Sequence, residues 1–232
     1  MSIEIGKMIA KYVVHPNIAS LQPGEKLVHF VRHAQGHHNV AGEEDKVRYQ
    51  SEEFADAAIT ELGMTQCHEL RDRNVNEGNE KFKSDLIVVS PLKRTLETAT
   101  NCFPNLSGKI PWLAHESIRE QTGLHPCDRR SKTSEYKTEF SHINFDLITD
   151  EEDPLYSRYS TVREPDEDVA VRSRVFFDWL SARDDKEVTV VTHSAFLRHT
   201  FRYVLDVGDS IGSDDAGSFK NCELKSFIIS FN

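Results

Sequence analysis

Three short apolar runs organise the chain: residues 27–31, 86–89 and 188–191, each rich in Val, Ile, Leu or Phe and free of strict alternation. Runs of four to six β-branched and aliphatic residues without an alternating face predict strands buried on both sides. A polar cluster and then a helical pattern follow each run. After the second, Leu92, Leu96, Ala99 and Phe103 recur at helical spacing; after the third, Phe196, Leu197, Thr200, Phe201 and Val204 do the same. A further amphipathic helix is predicted over residues 168–182, with Val169, Phe176, Phe177 and Leu180 on one face and Glu167 and Asp168 placed to suit the dipole at its start. Residues 223–231 read as an edge strand. Strands alternating with helices predict an α/β fold with a mostly parallel central sheet covered on both faces.

Two stretches, 41–54 and 141–164, are polar and weakly periodic, the composition of surface insertions that carry substrate contacts. The acidic run 150–153 reads as a solvated face, since oxygen-ligated metal loops space their ligands at alternate positions around a turn glycine. No repeat, linker or low-complexity segment divides the 232 residues, so one domain spanning 1–232 is expected. No apolar run approaches the roughly 18 residues needed to cross a bilayer, and Glu4, Lys7 and Lys11 interrupt any signal-peptide core. A soluble, cytoplasmic protein is the expectation.

Charge narrows the partners. With 28 Lys and Arg against 38 Asp and Glu the net charge is −10, which opposes non-specific binding to nucleic acid and to anionic membranes. An anionic ligand then requires a local basic pocket. The four cysteines, Cys67, Cys102, Cys127 and Cys222, are scattered without a C-x-x-C pair, which argues against a zinc knuckle and reads as free thiols.

Candidate chemistry clusters where strands end, the ligand-binding rim of open parallel sheets. The first run is followed by Arg32, His33, Ala34, Gln35, Gly36, His37, His38 and Asn39; the second by Ser90, Pro91, Leu92, Lys93 and Arg94; the third by Thr192, His193 and Ser194. Any one cation at a wet strand end is unremarkable as structure, but three strand ends delivering Arg and His form a set. Paired guanidiniums match a phosphate dianion, and neutral imidazole beside it can attack phosphorus. His33 and His37 have the i, i+4 spacing of some zinc sites, but they follow a strand and lack the H-E-x-x-H glutamate. No metal and no cofactor is expected.

These blocks, together with residues 59–66, the stretch 90–99 and Ile118-Arg119-Glu120, occur in the order seen in the histidine phosphatase superfamily, which the chain resembles. The resemblance implies the three-layer α/β/α sandwich of phosphoglycerate mutase-like proteins and a phosphomonoesterase that needs no metal. It implies that His33 is phosphorylated, that Arg32, Arg94 and His193 surround the phosphoryl group, and that Asn39 contacts phosphate or substrate. Glu120 then protonates the leaving oxygen and activates water, with Glu116 as its rival on sequence grounds.

Two positions depart from the family pattern: Ala34 replaces the usual Gly, and Ser194 replaces a Gly, either adding a phosphate donor or capping a helix. Arg129 and Arg130 read equally as a second anion-reading pair and as parts of a turn held by Asp128, with Cys127 structural. The mutase-type block after the acid is missing, Gln121-Thr122-Gly123-Leu124-His125 standing there. This favours hydrolysis of small-molecule phosphate monoesters, as in the phosphatase-like branch of fungi and plants; mutase-type transfer and a phosphate-binding regulatory protein are the alternatives.

Overall fold

The computed structural model describes residues 12–15, 20–73, 82–208 and 212–231; the N-terminal stretch read above for a signal sequence lies outside them. Six strands form one sheet: β1 (Tyr12–His15), β2 (Glu25–Arg32), β3 (Leu86–Val89), β4 (Trp112–Ala114), β5 (Glu187–Thr192) and β6 (Leu224–Phe231), in the order β1-β6-β2-β5-β3-β4. The four strands β2, β5, β3 and β4 run parallel, and β6 lies antiparallel to both β2 and β1. The three apolar runs are thus the central strands. Strand β6 is one place in from the edge, because the four-residue β1 covers its outer side.

Alternate residues of the central strands enter two separate cores. Val28, Phe30, Val88 and Val190 pack with Phe176, Phe177, Phe196 and Phe201 on one face. Val31, Ile87, Val89 and Val191 pack with Leu70, Leu96 and Phe103 on the other. Helices α1 (His37–Glu44), α2 (Glu61–Arg71), α3 (Lys93–Cys102), α4 (Thr133–Glu139), α5 (Pro154–Arg158), α6 (Asp166–Ser181) and α7 (Ser194–Tyr203) follow in chain order; α6 and α7 cover the first face, and α2 and α3 the second. The result is the expected three-layer sandwich, each strand stabilising both cores at once. The acidic run behaves differently from expectation at one position: residues 150–152 are exposed, but Asp153 is buried against the Arg119 guanidinium.

Register aligns the strand ends that carry the site. Arg32 pairs with Thr192 and Val89 with Val191, and two further bonds extend the ladder, His33 N–H to Thr192 O (2.9 Å) and Ser90 N–H to Val191 O (3.0 Å). The loop after β2 is then seated on the start of α2. Thr60 N–H donates to Gln35 O (2.8 Å), Gln66 Oε1 accepts from Gln35 N–H (2.9 Å), and Gly63 sits under the same carbonyl. A methyl on Gly63 would fall 2.3 Å from Gln35 O. Alanine is the better helix former by about 1 kcal/mol, yet Gly63→Ala is expected to destabilise the fold by about 1–3 kcal/mol, the range for overpacking; urea unfolding showing unchanged or increased stability would refute this docking.

Candidate active site

At the carboxyl ends of β2, β3 and β5 lies a cavity of about 250 Å³, lined by residues that include Arg32, His33, Arg94, Glu120, Arg163 and Arg198. Another hollow beside Lys26 and Arg183 is larger, at about 390 Å³, but gathers no comparable set of imidazoles and guanidiniums.

His33 follows directly on β2 and is 2% exposed. Its Nδ1 lies 2.7 Å from the carbonyl of Ala34. A carbonyl only accepts, so Nδ1 carries the proton and Nε2 keeps its lone pair. Burial first, then the charges of Arg94, His38 and Arg32, holds the ring well below its ordinary pKa of 6.5, so it stays neutral. Ala34 is accommodated without a left-handed backbone: it is buried in the core, and its N–H donates to Thr98 Oγ1 (3.0 Å).

His193 follows directly on β5 and is the N-cap of α7. Its Nε2 shares a hydrogen bond with Ser90 Oγ (2.7 Å), its ring centroid lies 5.2 Å from that of His33, and burial followed by the Arg94 charge depresses its pKa likewise. Arg94, at the start of α3, is fully buried; its Nη1 donates to Cys127 O (2.5 Å) and its Nη2 to Asp128 Oδ1 (2.8 Å). Arg32 donates to Phe219 O (2.8 Å). Arg32 Nε, Arg94 Nε, His38 Nδ1 and His193 Nδ1 are all buried without a partner among the described residues. Buried polar atoms are normally paired; Arg32, Arg94 and His38 line the cavity and His193 packs against His33, so unpaired nitrogens gather around this site.

Glu120 lines the same cavity, and its carboxyl caps α7. Oε1 accepts from Gln121 N–H (2.9 Å) and Phe196 N–H (3.1 Å), and Oε2 from Ala195 N–H (3.3 Å). Helix capping therefore comes from Glu120, while Ser194 is the first residue of α7 and lines the cavity. Two buried arginines hold the Glu120 segment. Arg172 of α6 donates to Arg119 O (2.6 Å) and Glu120 O (3.0 Å), and Arg119 grips Asp153 with both terminal nitrogens (2.7 and 2.6 Å). Glu116 is engaged by Arg119 (3.1 Å) and Arg130 (2.6 Å) and does not line the cavity.

Asn39 lines the cavity too, with Oδ1 accepting from Gly36 N–H (3.0 Å). The expected pair Arg129 and Arg130 is placed elsewhere. Arg129 is directed outward to Glu52 (2.6 Å), and the buried Arg130 side chain is consumed by Glu116 and by the carbonyls of Asp150, Ser131, Glu151 and Glu152. Both therefore hold loops together and do not reach an anion in the cavity.

Arginines that sequence reading passed over take part in the cavity wall. Arg163, from the 141–164 insertion, donates to Asp128 Oδ2 (2.8 Å) and Gly123 O (3.0 Å). Arg198 lies one turn after Ser194, a helical spacing that would have revealed it. Tyr49, from the 41–54 insertion, stacks on His125 with centroids 5.4 Å apart. Gly123 has φ +90°, and a Cβ there would lie 2.0 Å from Val162 O, so only glycine lets the two loops meet.

Asp128 joins these parts. Burial pushes its pKa up, but Arg94 and Arg163 more than reverse this and hold it below the usual carboxylate range. It is accordingly an anion that orients two guanidiniums, not a proton donor. Asp128→Ala leaves both cations facing a buried gap, and a loss of about 3–5 kcal/mol is expected, as for one partner removed from a buried ion pair. Denaturant unfolding reads it; a cost under about 1 kcal/mol would place the pair among the weak surface type.

A parallel-sheet α/β sandwich with an imidazole and guanidiniums gathered at its strand ends is one well-defined class of protein. The chain belongs to the histidine phosphatase superfamily (branch 1), whose sequence profile matches residues 28–229. It is 37% identical over 231 residues to phosphoglycerate mutase-like protein 1 of Arabidopsis thaliana, covering 88% of this chain and 81% of that one. Over 206 residues it is 26% identical to a protein of Schizosaccharomyces pombe named as a probable phosphatase, covering 88% and 90%. Among solved structures, phosphoglycerate mutase from Bacillus anthracis superposes with a TM-score of 0.57 at 16% identity, covering 88% of each chain. The fold is that of the phosphoglycerate mutase-like proteins. Among the described residues no helix is long and apolar enough to cross a membrane.

Proposed function

We propose that the protein hydrolyses phosphate monoesters of small molecules through a phosphohistidine on His33, with no metal in the reaction. The observation that carries this reading is the bond from His33 Nδ1 to Ala34 O, which leaves Nε2 with its lone pair on a residue that lines the cavity together with Arg32 and Arg94. Nε2 attacks phosphorus, and the ester oxygen departs with the bonding pair and a proton from Glu120. Water then attacks the phosphohistidine, giving its proton to Glu120 and releasing phosphate with His33 restored. Arg32, Arg94 and His193 offset charge on the transferring group, the part that metal ions play in other phosphatases. Asn39 and Ser194, on the same wall, contact the phosphate or the rest of the substrate.

Hydrolysis is favoured over mutase-type transfer by the segment after Glu120. Gln121 is turned away to Glu164 O (2.8 Å), and Gly123 and His125 are occupied with Arg163, so this segment brings no further free cations for a second phosphate. The relatives include one protein named as a probable phosphatase and others named as phosphoglycerate mutase-like, which supports phosphoryl chemistry in either form.

Nitrophenyl phosphate is expected to be hydrolysed equally with and without a chelator of divalent cations, and His33→Ala is expected to lose roughly a thousandfold or more. Activity that a chelator abolishes and magnesium restores, or a nearly full rate in the variant, would overturn the reading. In Glu120→Gln, phosphorylation of the enzyme by glycerol phosphate is expected to slow far more than by nitrophenyl phosphate, whose leaving group needs little protonation. Rapid-quench mass spectrometry measures both, and equal slowing would remove Glu120 from the acid's role.

A further inference from the structure

Three of the four cysteines converge although they are distant in sequence. Cys67 lies on α2, Cys102 closes α3 and Cys222 sits in the turn before β6, at a left-handed φ of +56°. All are free and at most 3% exposed. Their sulfurs lie within 4.8 Å of one another, with Cys102 and Cys222 3.6 Å apart. Buried cysteine often serves as a small apolar side chain, but packing alone does not require three sulfurs from three elements to face one point.

We propose that Cys67, Cys102 and Cys222 bind one thiophilic d10 cation, Cu(I) or Zn(II), as a staple beneath the catalytic strand end. Metal–sulfur bonds of about 2.3 Å put three sulfurs around one cation roughly 4 Å apart, within the spread the cluster already has. The donor set is sulfur only, which selects soft ions and excludes magnesium and calcium. Structural zinc takes four ligands, and the group contains three among the described residues; three-coordination is ordinary for Cu(I). Binding displaces thiol protons.

The cluster is tied to the phosphate site by backbone. Cys222 N–H donates to Arg32 O (3.1 Å) and His33 O (3.2 Å), Asn221 Nδ2 donates to His33 O (3.1 Å), and Phe219 O accepts from Arg32. A cation joining Cys222 to α2 and α3 would pin the turn that seats both residues. It takes no part in phosphoryl transfer, so its presence or absence is decided independently of the reaction proposed above.

The test uses the whole chain, reduced and under anaerobic conditions, titrated separately with Cu(I) and with Zn(II) against a chromophoric chelator. One equivalent of at least one of these ions is expected to bind, to raise the melting temperature and to show by X-ray absorption a sulfur shell at about 2.3 Å. Cys102→Ser and Cys222→Ser are expected to weaken binding by about tenfold or more, whereas Cys127→Ser, outside the cluster, keeps one equivalent. Should the serine variants not fold, the sulfur shell of the unmodified protein decides alone. Absence of a sulfur-bound ion in both titrations, or binding unaltered in Cys222→Ser, would overturn the proposal.

Discussion

One hydrogen bond, from Nδ1 of His33 to the carbonyl of Ala34, sets what the cavity can do. It decides which ring nitrogen holds the proton, and therefore which nitrogen is left with a lone pair. Burial keeps that choice from being undone by protonation, because the ring lies beside guanidiniums and away from water. The bond depends on where β2 stops. The ladder to β5 runs one residue past Arg32, so the chain is still held as it delivers His33 and then turns at Gln35 onto α2. Sheet register, loop seat and tautomer form a single chain of causes.

A second layer of the design is ionic and buried. Arg94, Arg119, Arg130 and Arg172 each have their charge met by a carboxylate or by several carbonyls inside the protein. Such pairs add little net stability once desolvation is counted. Their effect is geometric: Asp128 orients Arg94 and Arg163, and Arg119 with Arg172 sets the height of Glu120 over the cavity. Of these four, Arg94 also lines the cavity, whereas Arg119, Arg130 and Arg172 do not reach it.

That distinction explains where sequence reading succeeded and where it stopped. Central strands and their helices were legible because burial on two faces leaves unbroken apolar runs and strong helical periodicity. Residues at strand ends, His33, Arg94 and His193, were legible for the same reason, since topology places strand ends together. Sequence leaves Arg129 and Arg130 open between an anion-reading pair and parts of a turn, because composition shows charge without showing its partner, here Glu52 and Glu116. Strands β1 and β4, of four and three residues, carry too few positions for a periodic signal. The convergence of Cys67, Cys102 and Cys222 follows from α2 and α3 packing together on one face of the sheet, beside the turn before β6, and leaves no mark in their spacing.

With Nδ1 of His33 bonded to Ala34 O, one nitrogen of that ring keeps a lone pair. Stopping turnover in alkali and locating the phosphoryl group by phosphorus–nitrogen correlated NMR on the nitrogen-labelled protein would show where it resides. The proposed reaction predicts it on Nε2 of His33, with Nδ1 still protonated and bonded to Ala34. A phosphoryl group on Nδ1, on His38 or His193, or on no histidine at all would contradict the account.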